Sequence, residues 1–350
     1  MSMGQKVAVS IALFLTLFLF SGCPVSSTSS GGGGGGSSGG GADLLPPGGA
    51  GTEPNSLLEN PLSSICQTLS GVLYAGSNGG KLLTSSDGST FTVLDGTKVD
   101  IRSAHCDRQS TLETNVWFVG PGGTIVKYDG TALTSETSGT TVDLNAVFGT
   151  DKSKVYAVGN EGTILFFDGI SWTAQTSGTT EHLMGIAGTN SQAFFVAVGG
   201  RATVLQSNGI NWDSVDVSGT GILDATLNAV WGDALGGEFF AVGNAGTILH
   251  RAAGTNGAWD KQTSPTSLDL LAVHGTSGSQ VFAVGKEGVI LSYDGSTWTK
   301  QTNPAETDFQ LNGILSLSST AALAVGADGT SATSTGILLQ LSAAGWAKLL

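Results

Sequence analysis

The residues of this chain that could do chemistry are few, and their spacing matches no catalytic or metal site. The sequence of 350 residues has 4 histidines, which are His105, His182, His250 and His274. They lack a short ligand spacing such as His-x-Glu-x-x-His, which places two imidazoles on one face of a helix for zinc. We therefore expect no catalytic residues, no metal and no cofactor, with a structural calcium ion held by Asp143 or Asp269 as an alternative.

Positive charges are also sparse, which limits the ligands and partners that the chain can bind. The formal net charge is −13, and the arginines are Arg102, Arg108, Arg201 and Arg251. No basic stripe exists that could neutralise successive phosphates, so the composition argues against a nucleic-acid partner. The arginines are also too scattered for three of them to converge on one carboxylate, as hydrolysis of an acidic sugar would require.

Two cysteines, Cys66 and Cys106, are candidates for a disulfide. They fall at the ends of equivalent segments in neighbouring repeats of the sequence, so a bond between the two repeats is expected in an oxidising compartment. The alternative is two separately buried thiols, if the segments lie too far apart for disulfide geometry.

The elements that position these residues come from a repeat of about 41 residues that occurs seven times after Leu62. The residue that follows an apolar run such as Tyr-Ala-Val recurs at intervals of 43, 39, 40, 44, 42 and 41 residues, at Ser77, Gly120, Gly159, Gly199, Gly243, Gly285 and Gly326. Each repeat has four short runs rich in Val, Ile, Phe and Tyr, bounded by Gly, Asn and Asp. This pattern indicates antiparallel strands joined by hairpins.

Four strands in about 40 residues form one propeller blade, and seven blades close into a ring because a single blade cannot bury both of its faces. We therefore predict an all-β fold, a seven-bladed β-propeller of four-stranded antiparallel blades over residues 61–350. The repeats are expected to start near residues 62, 101, 144, 183, 227, 270 and 311. An open solenoid of the same units is the alternative architecture.

The most conspicuous recurring residues are expected to be structural. A tryptophan occupies one place in five of the repeats, at Trp172, Trp212, Trp259, Trp298 and Trp346. A large ring at a fixed point of each repeat is explained by packing between blades. In Asp-Gly turns such as Asp168-Gly169 and Asp294-Gly295, the carboxylate can accept backbone N–H groups while the glycine supplies a positive φ.

Function should be sought where the seven repeats differ. In the first strand of each repeat, the predicted innermost strand, the second and fifth places vary. If these side chains ring one mouth of the channel, they form a candidate partner-binding rim of Arg102, His105, Phe148, Trp231 and His274. Such a mixture of aromatic and polar side chains is typical of binding surfaces. Neutral variation on a solvated rim is the alternative.

The N-terminal part of the sequence predicts a leader and a tether. Lys6 precedes a predominantly apolar run over residues 7–20, and Phe20-Ser21-Gly22-Cys23 resembles a bacterial lipobox with Cys23 as the lipidated residue. Residues 1–22 are therefore a predicted lipoprotein signal peptide. Residues 23–60 are rich in Gly, Ser and Pro and form a predicted flexible, disordered linker. A plain secretory signal with a chance cysteine is the alternative.

The repeats carry a resemblance to known propellers. Blades that read Leu-Asn-Ala-Val-Phe-Gly, Tyr-Ala-Val-Gly-Asn-x-Gly-Thr-Ile-Leu and Asp-Gly-x-x-Trp, as over residues 144–172, resemble those of bacterial BNR-like (Asp-box) propellers related to photosystem II assembly and stability factors. They are also similar to propeller lipoproteins of Gram-negative bacteria. The resemblance covers residues 62–350 and implies the fold. The arginine-rich patch typical of the assembly factors is missing here, so the resemblance implies no role in photosystem assembly.

Together these features predict a lipid-anchored, extracytoplasmic and non-enzymatic propeller that binds protein or acts as a scaffold at the bacterial cell envelope. The expected partner is an envelope or secreted protein, and the membrane is contacted only through the N-terminal lipid. Pro24 differs from the aspartate that resembles an inner-membrane retention signal, which favours the outer membrane. The alternatives are a glycan-binding or glycoside-hydrolase-like propeller and a structural surface component.

Overall fold

The chain folds into seven four-stranded antiparallel sheets, each in the strand order of the sequence. The computed structural model describes residues 60–96, 98–109, 113–189, 194–233, 237–254, 258–303, 309–329 and 335–349. The predicted signal peptide, Cys23 and almost all of the predicted linker lie outside these residues. The predicted seven-bladed β-propeller is confirmed. Across the described ranges, we find no helix of sufficient length and apolar character to span a membrane.

Each blade takes four consecutive strands. Blade one has β1 (Leu62–Gln67), β2 (Leu73–Ser77), β3 (Lys81–Ser85) and β4 (Thr92–Gly96). Blade two has β5 (Ser103–Cys106), β6 (Val116–Val119), β7 (Ile125–Tyr128) and β8 (Leu133–Ser135). Blade three has β9 (Leu144–Asp151), β10 (Lys154–Gly159), β11 (Ile164–Phe167) and β12 (Trp172–Gln175). Blade four has β13 (Leu183–Thr189), β14 (Phe194–Gly199), β15 (Val204–Ser207) and β16 (Trp212–Ser214).

The last three blades repeat this arrangement. Blade five has β17 (Leu227–Gly232), β18 (Phe239–Gly243), β19 (Ile248–Arg251) and β20 (Asp260–Lys261). Blade six has β21 (Leu270–Ser277), β22 (Gln280–Gly285), β23 (Ile290–Tyr293) and β24 (Trp298–Lys300). Blade seven has β25 (Phe309–Ser318), β26 (Ala321–Asp328), β27 (Thr335–Ser342) and β28 (Gly345–Lys348). Short 3₁₀ turns are at Pro121–Gly123, Asn160–Gly162, Gly200–Ala202, Ser218–Thr220, Asn244–Gly246 and Lys286–Gly288.

Five of the seven inner strands begin at the predicted residue, and two differ by two residues. In blade two, Ile101 and Arg102 make only single backbone bonds, to Ser77 and Val119, so the strand begins at Ser103. In blade seven, Phe309 pairs with Asp328, which extends the inner strand towards its N-terminus. The repeat length therefore fixes the start of a blade more closely than the start of its first strand.

The core is divided among the seams between blades. Seven apolar clusters lie one at each seam, and the described strands of every blade contribute to the two clusters beside them. The ring closes without strand exchange, since blade seven and blade one each keep four strands of their own. At this closing seam Leu315 and Val325 pack with Leu62 and Ile65, and the Asn312 amide donates to the Leu62 carbonyl over 2.9 Å.

The recurring residues have the structural roles that the sequence predicts. The five repeated tryptophans are 6–8% exposed, and Trp346 of blade seven packs edge-on against Phe282 of blade six. In the Asp294 turn, the carboxylate Oδ1 accepts the N–H groups of Ser296 and Thr297, and Gly295 has a φ of +97°. These backbone donors hold the pKa of Asp294 at about 2.

Candidate binding site at one mouth of the channel

A single cavity gathers one side chain from every blade. Counting from residues 62, 101, 144, 183, 227, 270 and 311 as first places, the fifth-place residues are Cys66, His105, Phe148, Ala187, Trp231, His274 and Leu315. All of them line a cavity of about 590 Å³, which we call the mouth cavity. It lies at the end of the ring where the first and second strands of each blade are joined, which we call the hairpin end. The other end carries the 3₁₀ turns.

The predicted rim is divided between the two ends, and the placement of Arg102 with the other four residues was wrong. The Arg102 guanidinium donates to Asn145 Oδ1 over 2.7 Å and to Asp143 Oδ2 over 2.9 Å, across the seam to blade three. Second and fifth places are three residues apart, which is about 10 Å along a strand. The pairing also shifts register at the second place of most inner strands, so this residue leaves the regular ladder.

Second-place side chains instead join neighbouring blades. The amides of Asn145 and Asn228 each donate over 2.8 Å to the first carbonyl of the next inner strand, at Leu183 and Leu270. Asn312 makes the same bond to blade one. Because these donors satisfy buried backbone carbonyls, the second place belongs to ring closure at the 3₁₀ end.

The fifth-place side chains also cross a seam, each towards the sixth-place residue of the next blade. A Cβ at Gly149 would lie 3.2 Å from His105 Nε2, and one at Gly275 would lie 2.7 Å from Trp231 Cη2. The ring of Phe148 takes the same position against Gly188. Fifth-place rings therefore have one face against a neighbouring backbone and line the cavity as well, a double role that the sequence patterns missed.

The predicted pair of cysteines follows the same rule. Cys66 is the fifth-place residue of blade one and Cys106 the sixth-place residue of blade two, and they form a disulfide with Cα atoms 5.6 Å apart. Each fifth place is separated from its sixth-place partner by one repeat plus one residue. A comparison of residues at this offset, rather than at equal places, would have found these contacts in the sequence.

The two histidines of the cavity are neutral. Burial and, to a smaller extent, the positive charge of Arg108 lower the pKa of His105 and of His274 to about 4. The N–H of Ser316 donates to His274 Nδ1 over 3.1 Å, which leaves the proton of the neutral ring on Nε2. Among the described lining residues, Arg108 is the one cation and Asp233 the one carboxylate.

The carboxylates considered for calcium are bound to protein groups. Asp143 accepts from Arg102 and from the N–H of Gly122, and Asp269 accepts from Lys286 Nζ over 2.7 Å. In the ranges that the structure describes, no group of three or more His, Cys, Asp or Glu side chains could hold a metal ion. Glycoside hydrolysis generally uses two facing carboxylates, whereas Asp233 is alone in the described lining.

The fold and the cavity define the class as a seven-bladed β-propeller with a mixed aromatic and polar mouth. No protein-family model and no curated protein matches this sequence. Among solved structures, the chain is similar to YCF48 bound to D1 peptide, with a TM-score of 0.63, 15% identity and coverage of 81% of this chain and 94% of the other. It is similar to YCF48 from Cyanidioschyzon merolae with the same TM-score and identity, over 81% and 96% of the two chains. At this identity the likeness concerns the fold.

Proposed function

We propose that the chain is a non-enzymatic protein-binding propeller that receives its partner at the mouth cavity. The observation that carries this proposal is the convergence of seven chemically different fifth-place side chains on one cavity. Central aromatic residues such as Phe148 and Trp231 typically contribute much of the binding energy at protein interfaces. The solved YCF48 structure with a peptide bound supports a peptide or protein as the ligand of a propeller with this fold.

The location belongs to the same proposal. A lipid on Cys23 would anchor the propeller through the linker of residues 23–60 at the bacterial cell envelope, at the outer membrane. The Cys66–Cys106 disulfide supports an oxidising, extracytoplasmic compartment. The Asp-Gly turns and their following aromatic residues support the proposed kinship with BNR-like propellers.

Affinity capture with the full chain on envelope extracts of its source organism tests the function. We expect a reproducible protein partner, with recovery reduced about tenfold by Trp231→Ala and reduced by His105→Ala. His182→Ala is the matched control, because this exposed imidazole accepts the Glu161 N–H at the 3₁₀ end. Thermal unfolding of each variant separates lost binding from lost folding.

Two outcomes would count against protein binding at the mouth cavity. One is the recovery of no protein, and the other is equal recovery by all the variants. Binding to a glycan array that disappears in Trp231→Ala would favour the glycan alternative. Concentration-dependent self-association of the pure chain would favour a structural surface component.

A further inference from the structure

The seam between blades four and five lacks the contact that crosses the other seams of the mouth cavity. At five of them, a described fifth-place side chain reaches the next blade, as in Cys66, His105, Phe148, Trp231 and His274. At the closing seam, Leu315 is 3% exposed and packs with residues of blade one. Blade four has Ala187 at this place, whose side chain ends at Cβ. This seam, with Ala187 and the sixth-place Gly232, is called the notch.

The exposure of the glycines agrees with a missing cover. The sixth-place residues Gly149, Gly188 and Gly275 are buried, whereas Gly232 is partly exposed. The three atoms nearest to a Cβ at Gly232 all belong to Phe239 of the same blade. Blade four thus places none of its atoms among these three, in contrast to the contacts of Phe148 on Gly188 and Trp231 on Gly275.

The walls of the notch are apolar and aromatic. Ala187 lies between the fifth places of blades three and five, so Phe148 and Trp231 flank it on the two sides. The fourth-place residues Ile186 and Val230 are buried and line the same cavity. An aromatic ring packed on a glycine backbone is the contact that the chain itself forms on both sides of this seam. The notch therefore fits an aromatic side chain better than a polar one.

The surroundings of the mouth cavity favour a basic partner. The Asp-Gly turns lie at the hairpin end, since a Cβ at Gly295 would be 2.9 Å from Ser279 Cβ, in the hairpin between β21 and β22. Exposed carboxylates recur in these turns, at Asp87, Asp129, Asp168 and Asp294. Their backbone N–H donors keep the pKa of each below its usual value, so these groups stay ionised at neutral pH. Opposite charge on a partner would complement this ring of carboxylates.

We propose that the notch takes an aromatic side chain from a basic segment of the protein partner, which supplies the ring that Ala187 lacks. This inference rests on the proposed function and names the chemistry of the partner. A protein is favoured over a glycan because the described walls are apolar and Asp233 is the single carboxylate beside them.

Capped peptides test the specificity directly, by titration of the full chain with calorimetric detection. The probe KKFKK is expected to bind, and KKSKK and EEFEE are expected to bind at least about tenfold more weakly. Equal affinity of KKSKK and KKFKK would overturn the proposal, because charge alone would then explain binding. Stronger binding of EEFEE than of KKFKK would overturn its basic part. Displacement of KKFKK by neutral oligosaccharides would point to a glycan ligand instead.

Filling the notch provides the decisive variant. Ala187→Phe should reduce KKFKK affinity at least about tenfold while the ring stays folded, because Phe148 already occupies the equivalent place of blade three. Ala187→Leu, which copies Leu315 of blade seven, gives a second test if the larger side chain prevents folding. The matched control is Ala132→Phe, at an exposed turn of the same end, which should bind like the unmodified chain.

The result also separates this inference from the proposed function. If Ala187→Phe captures the protein partner normally while Trp231→Ala does not, the mouth cavity binds a partner and the notch is not used. If no variant of the cavity changes capture, the proposed function fails as well.

Discussion

Reduction of the disulfide between Cys66 and Cys106 tests how strongly the fifth-place contacts hold the ring. The two residues are 40 apart in sequence. The chain-entropy treatment gives a stabilisation of about 4 kcal/mol for a loop of this length, because the bond removes conformations from the unfolded chain. The folded ring should survive reduction. The seam between blades one and two keeps its apolar cluster and the hydrogen bond from the Ser63 hydroxyl to the Ile101 carbonyl.

Urea unfolding followed by tryptophan fluorescence measures this difference. The free energy of unfolding should fall by about 4 kcal/mol when dithiothreitol is added, while the native spectrum is unchanged. The double variant Cys66→Ala and Cys106→Ala should behave like the reduced protein and should not respond to dithiothreitol. Equal free energies of unfolding for the oxidised and reduced chains would refute the reasoning. Loss of the native spectrum on reduction would show that the other contacts of this seam cannot hold it.

Two further predictions concern the mouth cavity and the repeated glycines. Because burial lowers the pKa of His105 and of His274 to about 4, the unfolded chain binds protons between pH 6.5 and 4 that the folded chain does not. The free energy of unfolding should therefore decrease over this range, by on the order of 1–2 kcal/mol per histidine at pH 5, and a variant with both residues changed to Gln should flatten the profile in urea titrations. Gly243→Ala should cost about 2–4 kcal/mol, since its Cβ would lie 2.1 Å from the Thr226 carbonyl oxygen. Gly178→Ala, at φ +75° in open space, should cost about 1 kcal/mol, and similar losses for the two would contradict this account of close approach.

The sequence predicted the fold because a propeller repeats the same local solution in each blade. Strand runs, Asp-Gly turns and one large ring per repeat are local or nearest-neighbour requirements, so they recur at a fixed period. The turn at Asp294 illustrates this, since its carboxylate bonds only to residues within the same turn. Patterns of this kind are visible without knowledge of which residues meet across a seam.

The candidate site was harder to predict because its geometry depends on register and on neighbouring blades. The shift in pairing at the second place separates Arg102 from His105, although both belong to one short segment. The partner of each fifth-place residue lies in the next repeat at an offset that equal-place alignment hides. Cys66 and Cys106 were recognised as a pair because cysteine chemistry is specific, whereas Phe148 on Gly188 carries no such signal.

The exception at Ala187 gains its meaning from this double role of the fifth place. A ring that crosses a seam contributes about 0.5–1.5 kcal/mol beyond its buried area, so blade four forgoes a stabilising contact that neighbouring blades have. Restoring it with Ala187→Phe should therefore raise the melting temperature while it weakens peptide binding. General damage to the fold would lower both quantities, and a solvated position without function would change neither affinity nor specificity. Opposite changes in stability and affinity are thus expected only if the notch is a place left open for a side chain of the partner.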